Sequence, residues 1–231
     1  ALTATDKGGT FAAWLKIEED DTVTLYTPHI DFGSGTTTAL AQMAGDELDA
    51  DWDRIVVEQA PAESAFANVW LAKGFVGDMT GMALPGSVAS LLARNMVPQI
   101  TGGSSAVRFT GQLGMRTLAA ATRLALIEEA AQRLGVPQGE LTTANGIVSH
   151  AKSNRTLRYG ELAKAAAERS LVSEPKLKSA KDFTLIGKPV PRYDIPGKVD
   201  GSAKFGIDVA LPEMRVAAAM LAPVRGGKLT S

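Results

Sequence analysis

The stretch from Val23 to Leu40 constrains the fold more than any other part of the chain. Val23, Leu25, Tyr26, Ile30 and Phe32 form an apolar, largely alternating run that predicts a strand, and Gly33-Ser34-Gly35 breaks it before a helical pattern begins at Thr36. A strand that passes through glycines into a helix aims several backbone N–H groups at one point, with no side chain in the way. That arrangement suits a phosphate or pyrophosphate. The alternative is structural: the glycines make a sharp turn and a threonine caps the helix. Spacing alone leaves both readings open.

Composition narrows the classes. The 231 residues carry 24 basic and 25 acidic side chains with few aromatics, so no basic surface for nucleic acid is expected. No apolar run reaches the length of a membrane span, and no signal-peptide pattern opens the chain. The first residue is alanine, as in a processed or truncated product. Cysteine is absent, which excludes disulfides and protein-ligated iron–sulfur clusters from these residues. The two histidines, His29 and His150, are far apart and have no ligand-like spacing, so no zinc site is expected.

The residue pattern predicts a mixed α/β order. Phe11–Ile17 and Thr22–Thr27 read as a hairpin around the solvated acidic turn Glu18-Glu19-Asp20-Asp21, and a helix runs from Thr36 to about Leu48. Asp49-Ala50-Asp51 ends that helix, and Ile55–Glu58 returns as a strand. Residues 60–105 are rich in small residues and only weakly periodic, so they predict little regular structure, as in a segment shaped by a partner or cofactor. A long helix is expected from Leu113 to Leu134, stopped by Gly135 and Pro137, followed by a strand over Gly146–His150 and a helix opening at Tyr159-Gly160-Glu161-Leu162. Prolines and lysines from Ser173 to Pro196 read as a linker, and Met214–Leu221 as a strand in a unit too short to form its own core. The expected division is therefore 1–172, a linker at 173–196 and an incomplete domain at 197–231.

Several motifs recur in a telling order. They are the strand–glycine–helix junction followed by Ala39-Leu40-Ala41-Gln42-Met43-Ala44 and Asp46-Glu47-Leu48, then Thr101-Gly102-Gly103-Ser104 with Arg108, then Tyr159-Gly160-Glu161-Leu162. Arg192-Tyr193-Asp194, Lys198-Val199-Asp200-Gly201 and Phe205-Gly206-Ile207-Asp208 complete the series. Together they resemble the N-terminal portion of the molybdenum-cofactor-binding subunit of the xanthine dehydrogenase and aldehyde oxidase superfamily. The nearest branch is that of the isoquinoline oxidoreductase and nicotinate dehydrogenase beta-type chains.

The resemblance implies an α/β (α+β) fold: a molybdopterin-binding-domain-like sheet with packed helices, followed by the start of a hammerhead-like α/β domain. It implies molybdopterin cytosine dinucleotide, carrying molybdenum, as cofactor. Gly33, Ser34, Gly35 and Thr36 form one candidate contact turn, and Thr101, Gly102, Gly103 and Ser104 a second, with Arg108 as a phosphate counter-charge or a surface ion pair. The implied chemistry is oxidation of an aldehyde or N-heterocycle with water as oxygen source. The implied partners are the remainder of the molybdenum subunit, an iron–sulfur subunit holding the clusters, and a cytochrome c as a further candidate. The periplasm is the expected compartment, with the cytoplasm as alternative. Ser34 stands where the family commonly has a glutamine approaching the metal, and its shorter side chain does not reach as far. No segment resembles the surroundings of the family's general base, so no catalytic residue is assigned to this chain, and it is not expected to be active alone.

Two other classes remain. A scaffold or partner subunit that has lost cofactor contact is one, and Ser34 keeps it open. A nucleotide-binding phosphotransferase is the other, from the likeness of Ile30–Thr36 to a sugar-kinase phosphate loop, although no second phosphate loop is found. Among single residues, His29 is expected to be a hydrogen-bonded structural histidine and Asp31 a turn-stabilising or ion-paired group. Arg192 and Lys198 are expected to orient the linker, and Trp14 and Trp52 to lie in a core or interface.

Overall fold

The computed structural model describes residues 3–5, 8–61, 63–96 and 103–228, which divide into two compact units, Ala1–Tyr193 and Asp194–Ser231. The first unit is built on a five-stranded sheet in sequential order: β1 (Thr3–Thr5), β2 (Gly8–Phe11), β3 (Leu15–Glu18), β4 (Val23–Thr27) and β5 (Ile55–Gln59). Strands β1 to β4 pair antiparallel, while β5 runs parallel to β4, with Leu25 opposite Val57. A parallel pair needs a crossover. Here α1 (Thr36–Leu48) supplies it.

The sheet is hydrophobic on one face, and helices cover that face. Phe11, Leu15, Ile17, Val23 and Leu25 form one core with Leu40, Ala41, Ala44 and Leu48 of α1. Three further helices follow α1: α2 (Val69–Thr80), α3 (Gly86–Met96) and α4 (Arg116–Leu134). The core also takes Ala119 and Leu126 from α4, and Tyr159, Leu162 and Ala163 from α5 (Tyr159–Ala166). A π-helical segment, Ala106–Met115, runs straight into α4. A small antiparallel sheet, β6 (Leu141–Ala144), β7 (Ile147–His150) and β8 (Arg155–Arg158), leads into α5.

The hairpin at the acidic turn, the span of α1, the left-handed stop at Gly135 and the start of α5 agree with the sequence pattern. Five features differ. The strand expected to run through Ile30 and Phe32 to the glycines ends at Thr27, because both side chains are exposed and have no core face to pack on. The strand expected over Phe11–Ile17 is two strands, because the chain reverses through Ala12 at φ +51° and pairs Phe11 directly with Leu15. Asp21 of the acidic turn is not simply solvated: its carboxylate accepts from Arg158 Nη1 at 2.6 Å and from the Gly160 N–H at 2.8 Å. Residues 60–105 hold two helices, α2 and α3. The side chain of Asn68 caps α2 by accepting from the Leu71 N–H at 3.0 Å, and Gly74 lets the Phe109 ring sit where a Cβ would be. Finally, residues 214–221 form no strand.

The second unit consists of α6 (Ile195–Asp200), a single 3₁₀ turn at Gly206–Asp208 and otherwise irregular chain. Its apolar side chains are exposed, with Ile207 94% and Met220 96% accessible. An isolated strand has no partner groups for its backbone, which is why the apolar run at Met214–Leu221 does not form one. Lys198 pairs with Asp194 of its own short helix, at 2.6 Å.

Candidate functional site

Past β4 the backbone turns at Pro28 and buries His29. Its Nε2 lies 2.8 Å from Thr110 Oγ1, and Asn68 Nδ2 donates to that same hydroxyl at 2.8 Å. His29 thus joins the strand end, α2 and the π-helical segment, a structural role. Asp31 comes next and organises the turn. Its Oδ1 accepts from the N–H groups of Gly33 at 2.9 Å and Gly35 at 3.1 Å, and its Oδ2 accepts from the Thr37 N–H at 3.2 Å. One carboxylate therefore takes the Gly33 N–H of the loop and two N–H groups at the N-terminus of α1, those of Gly35 and Thr37, where the helix dipole favours negative charge. Gly33 at φ +105° and Gly35 at φ +76° adopt conformations that L side chains rarely reach, which accounts for glycine at both places. The Ser34 and Thr36 hydroxyls lie 2.7 Å apart.

This turn does not stand alone. Ser34, Gly35, Thr36 and Ala39 line a cleft of about 500 Å³ together with Gly103, Ser104, Val107 and Arg108. The glycine turn before α1 and the Gly103-Ser104 pair, some 70 residues apart in the chain, face one space. Thr101 and Gly102 lie outside the described residues. Gly33 is beside the cleft and is not among the residues lining it. A Cβ added at Gly33 or Gly103 would meet nothing within 4 Å, so both backbones are open to approach. Two close approaches hold the π-helical segment in place next to the cleft: Gly111 lies against Met43 and Gly114 against Trp70.

The lining has three hydroxyls, one guanidinium and no carboxylate, in a cradle of small residues. Most of the lining is apolar, and the hydroxyls and guanidinium set in it are donors that a phosphate-bearing group could use. Arg108 is not idle, since its Nη2 donates to Asp78 at 3.0 Å and its guanidinium lies 4.9 Å from the centre of the Phe109 ring. The Arg108–Asp78 pair is largely exposed and weakly held.

The other end of α1 shows a chemistry that the sequence pattern did not reveal. Asp46 and Glu47 are both fully buried. Asp46 accepts from the N–H groups of Thr184, Leu185 and Ile186, at 2.7 Å for the last, and pairs with Lys178 Nζ at 3.2 Å. Burial on its own would raise the Asp46 pKa, but the N–H groups of Ile186, Leu185 and Thr184 and the Lys178 ammonium outweigh it and hold the carboxyl below its ordinary value. Glu47 accepts from Arg116 Nε at 2.9 Å and Nη2 at 2.5 Å, and from the Lys178 N–H at 3.1 Å.

These bonds bind residues 178–186 along α1, and the segment continues to the other end of the helix. Gln42 Nε2 donates to the Leu185 and Lys188 carbonyls, both at 3.0 Å, and the Tyr193 N–H donates to Thr38 Oγ1 at 3.2 Å. At the glycine turn, Arg192 Nη1 donates to the Gly33 carbonyl at 3.2 Å while Nη2 lies 3.8 Å from Asp31 Oδ1. A charged Asp-Glu pair inside a helix ordinarily reads as a solvated face. The available signal covers Glu47 alone, which falls on the side of Leu40 and Ala44; Asp46 falls on the opposite side of the helix and is buried only because residues 184–186 cover it.

Among the described residues no cluster of three or more His, Cys, Asp or Glu side chains could hold a metal ion, and no helix is long and apolar enough to cross a membrane.

Residues 2–94 match the family described as molybdopterin cofactor-binding domain. The chain is 31% identical over 92% of its length to the beta chain of isoquinoline 1-oxidoreductase from Brevundimonas diminuta. It is 28% identical over 92% of its length to the B chain of nicotinate dehydrogenase from Pseudomonas putida. It is also 27% identical over 93% of its length to a protein of Gluconacetobacter polyoxogenes named membrane-bound aldehyde dehydrogenase (pyrroloquinoline-quinone). It spans 28%, 15% and 24% of those three proteins respectively, and so corresponds to a part of each. Motif order, family match and relatives together support this chain as part of a molybdopterin-binding subunit of the xanthine dehydrogenase and aldehyde oxidase superfamily.

Proposed function

We propose that the chain supplies one wall of the pocket for molybdopterin cytosine dinucleotide in a heteromeric oxidoreductase. The observation that carries this reading is the cleft: the glycine turn before α1 and Gly103-Ser104, remote in sequence, meet around a space large enough for a pyrophosphate, with three hydroxyls and an arginine among its lining. Ser34 and Thr36 would hold the anionic group from one side, and Gly103 and Ser104 from the other. Arg108 would exchange its exposed pairing with Asp78 for a phosphate oxygen. Thr101 and Gly102 belong to the same proposed turn by sequence. Gly33 and Gly35 shape the loop, since their N–H groups are already bonded to Asp31.

When bound, the cofactor supplies two-electron oxidation at a substrate carbon, with water as the oxygen source. Ser34 orients by its hydroxyl and its N–H at the helix end, and the 2.7 Å contact with Thr36 restricts where that hydroxyl points. The substrate is proposed to be an aldehyde or an N-heterocycle, in keeping with the names of the relatives. The proposed partners are the rest of the molybdenum subunit, an iron–sulfur subunit and an acceptor such as a cytochrome c, with the periplasm as compartment. Residues 197–231 are proposed to begin a hammerhead-like domain completed by further polypeptide, and residues 1–172 to form the cofactor-binding part.

One observation favours a second reading. Asp31 already fills three N–H positions that an anion would use, as a scaffold that no longer binds cofactor would allow. Native mass spectrometry of the assembly purified with its partners, joined to molybdenum and iron analysis, separates the two. Molybdenum and pterin in stoichiometric amount are expected. An intact assembly free of both would establish the scaffold.

A further inference from the structure

We propose that Asp31 and Arg192 are positioning residues that set the shape of the glycine turn, with Arg192 delivered by the segment 178–193 bound along α1. This rests on the reading that the turn faces the cofactor. Packing does not hold the turn: nothing lies within 4 Å of where a Cβ on Gly33 would be, and Ile30, Phe32 and Ser34 around it are exposed. Hydrogen bonds do. The Asp31 carboxylate grips both sides of Ser34 through Gly33 and Gly35, and reaches the first turn of α1 through Thr37.

A carboxylate beside an anion site is unfavourable unless its charge is offset. Arg192 stands 3.8 Å from its Oδ1 and at the same time fixes the Gly33 carbonyl at 3.2 Å. The guanidinium is placed by its own segment. Tyr193 is bonded to Thr38, Leu185 and Lys188 to Gln42, and residues 184–186 to buried Asp46. The buried end of α1 is therefore tied through one continuous segment to the end that faces the cleft. Because Asp31 takes the Gly33, Gly35 and Thr37 N–H groups, a phosphate is left to the Ser34 and Thr36 groups. The clamp thereby selects which donors recognise it.

Residue-resolved amide exchange on the isotopically labelled full chain tests this without any cofactor. In Asp31→Asn, one oxygen still accepts from Gly33 and Gly35, but the amide nitrogen cannot accept from Thr37. Exchange at Thr37 is expected to rise about fivefold or more, with Ala44 and Leu48 unchanged. Arg192→Ala is expected to speed exchange at Gly33 and Gly35 by a similar factor, and Arg192→Lys to restore part of the protection. Unaltered protection at all three amides in both variants, or exchange rising equally along all of α1, would overturn the proposal. Pyrophosphate titration of the wild-type chain, followed at the Ser34 and Thr36 amides, reports separately on the pocket. If those amides fail to respond while the exchange pattern appears, the positioning role stands and the cofactor reading falls.

Discussion

The two ends of α1 use the same chemical device for opposite purposes. At the C-terminal end, Asp46 and Glu47 are sealed from water and accept backbone N–H groups of the segment crossing them, with Lys178 and Arg116 as counter-charges. At the N-terminal end, Asp31 likewise accepts three backbone N–H groups and has one arginine nearby, but it does so beside an open cleft. Burial makes the difference. In the sealed end each bond must be satisfied or the helix end fails, because desolvated charge tolerates no missing partner. At the open end water can replace any one bond, so geometry rather than stability is what the bonds secure.

The comparison breaks if removing the sealed carboxylates is harmless. Glu47→Ala leaves Arg116 buried and uncompensated, and should cost about 3–5 kcal/mol, read from a urea or thermal unfolding curve. Gly114→Ala would push a Cβ to 2.5 Å from Trp70 and should cost about 1–3 kcal/mol, which tests whether the π-helical segment beside the cleft is as tightly fitted as the sealed end. Asp46→Asn falls in a similar range, about 1–3 kcal/mol at neutral pH. It also carries a pH signature. Because the folded Asp46 pKa lies below its ordinary value, its stabilisation is complete above the ordinary aspartate pKa and is lost as pH falls through the lowered one. Wild-type stability should therefore drop more steeply than that of Asp46→Asn on acidification below about pH 4, the range of an ordinary aspartate. At the open end, Arg108→Ala removes a largely exposed pair and should change stability by less than about 0.5 kcal/mol, while weakening pyrophosphate binding.

What could be read from the sequence follows the same division. The start of α1 after the glycines, the stop at Asp49 and the cap at Gly135 are local signals, each carried by adjacent residues, and they appear in the structure where the pattern puts them, whereas the strand before the glycines stops short of Ile30 and Phe32. Helices α2 and α3 were not legible. Gly74 and Gly77 weaken the helical pattern, and what rescues it is the Phe109 ring resting on Gly74, a contact across the fold. The break at Ala12 hid inside an apolar run for a similar reason, since Trp14 is held by Trp70, with ring centres 5.0 Å apart. Asp46 and Glu47 stood within a recognised motif, but their partners lie about 130 residues onward or, for Arg116, on another helix. Asp31 was legible as a turn-stabilising group, yet its grip on three N–H groups depends on a backbone path that no spacing rule describes. The two glycine motifs could each be read, but the meeting of Gly103-Ser104 with the turn before α1 in one cleft is a property of the fold.

In the proposed function, the open end of α1 holds the cofactor while the sealed end holds the helix. Ala39 lines the cleft, so Ala39→Trp would fill it without touching Asp46, Glu47 or the bonds of Asp31. The measurement is the cytidine monophosphate and molybdenum released from the native assembly purified with this variant, alongside its thermal midpoint. Both should fall to a small fraction of the wild-type content while the chain stays folded and assembled. Full cytidine monophosphate and molybdenum content in the filled variant would contradict the account and move the cofactor elsewhere.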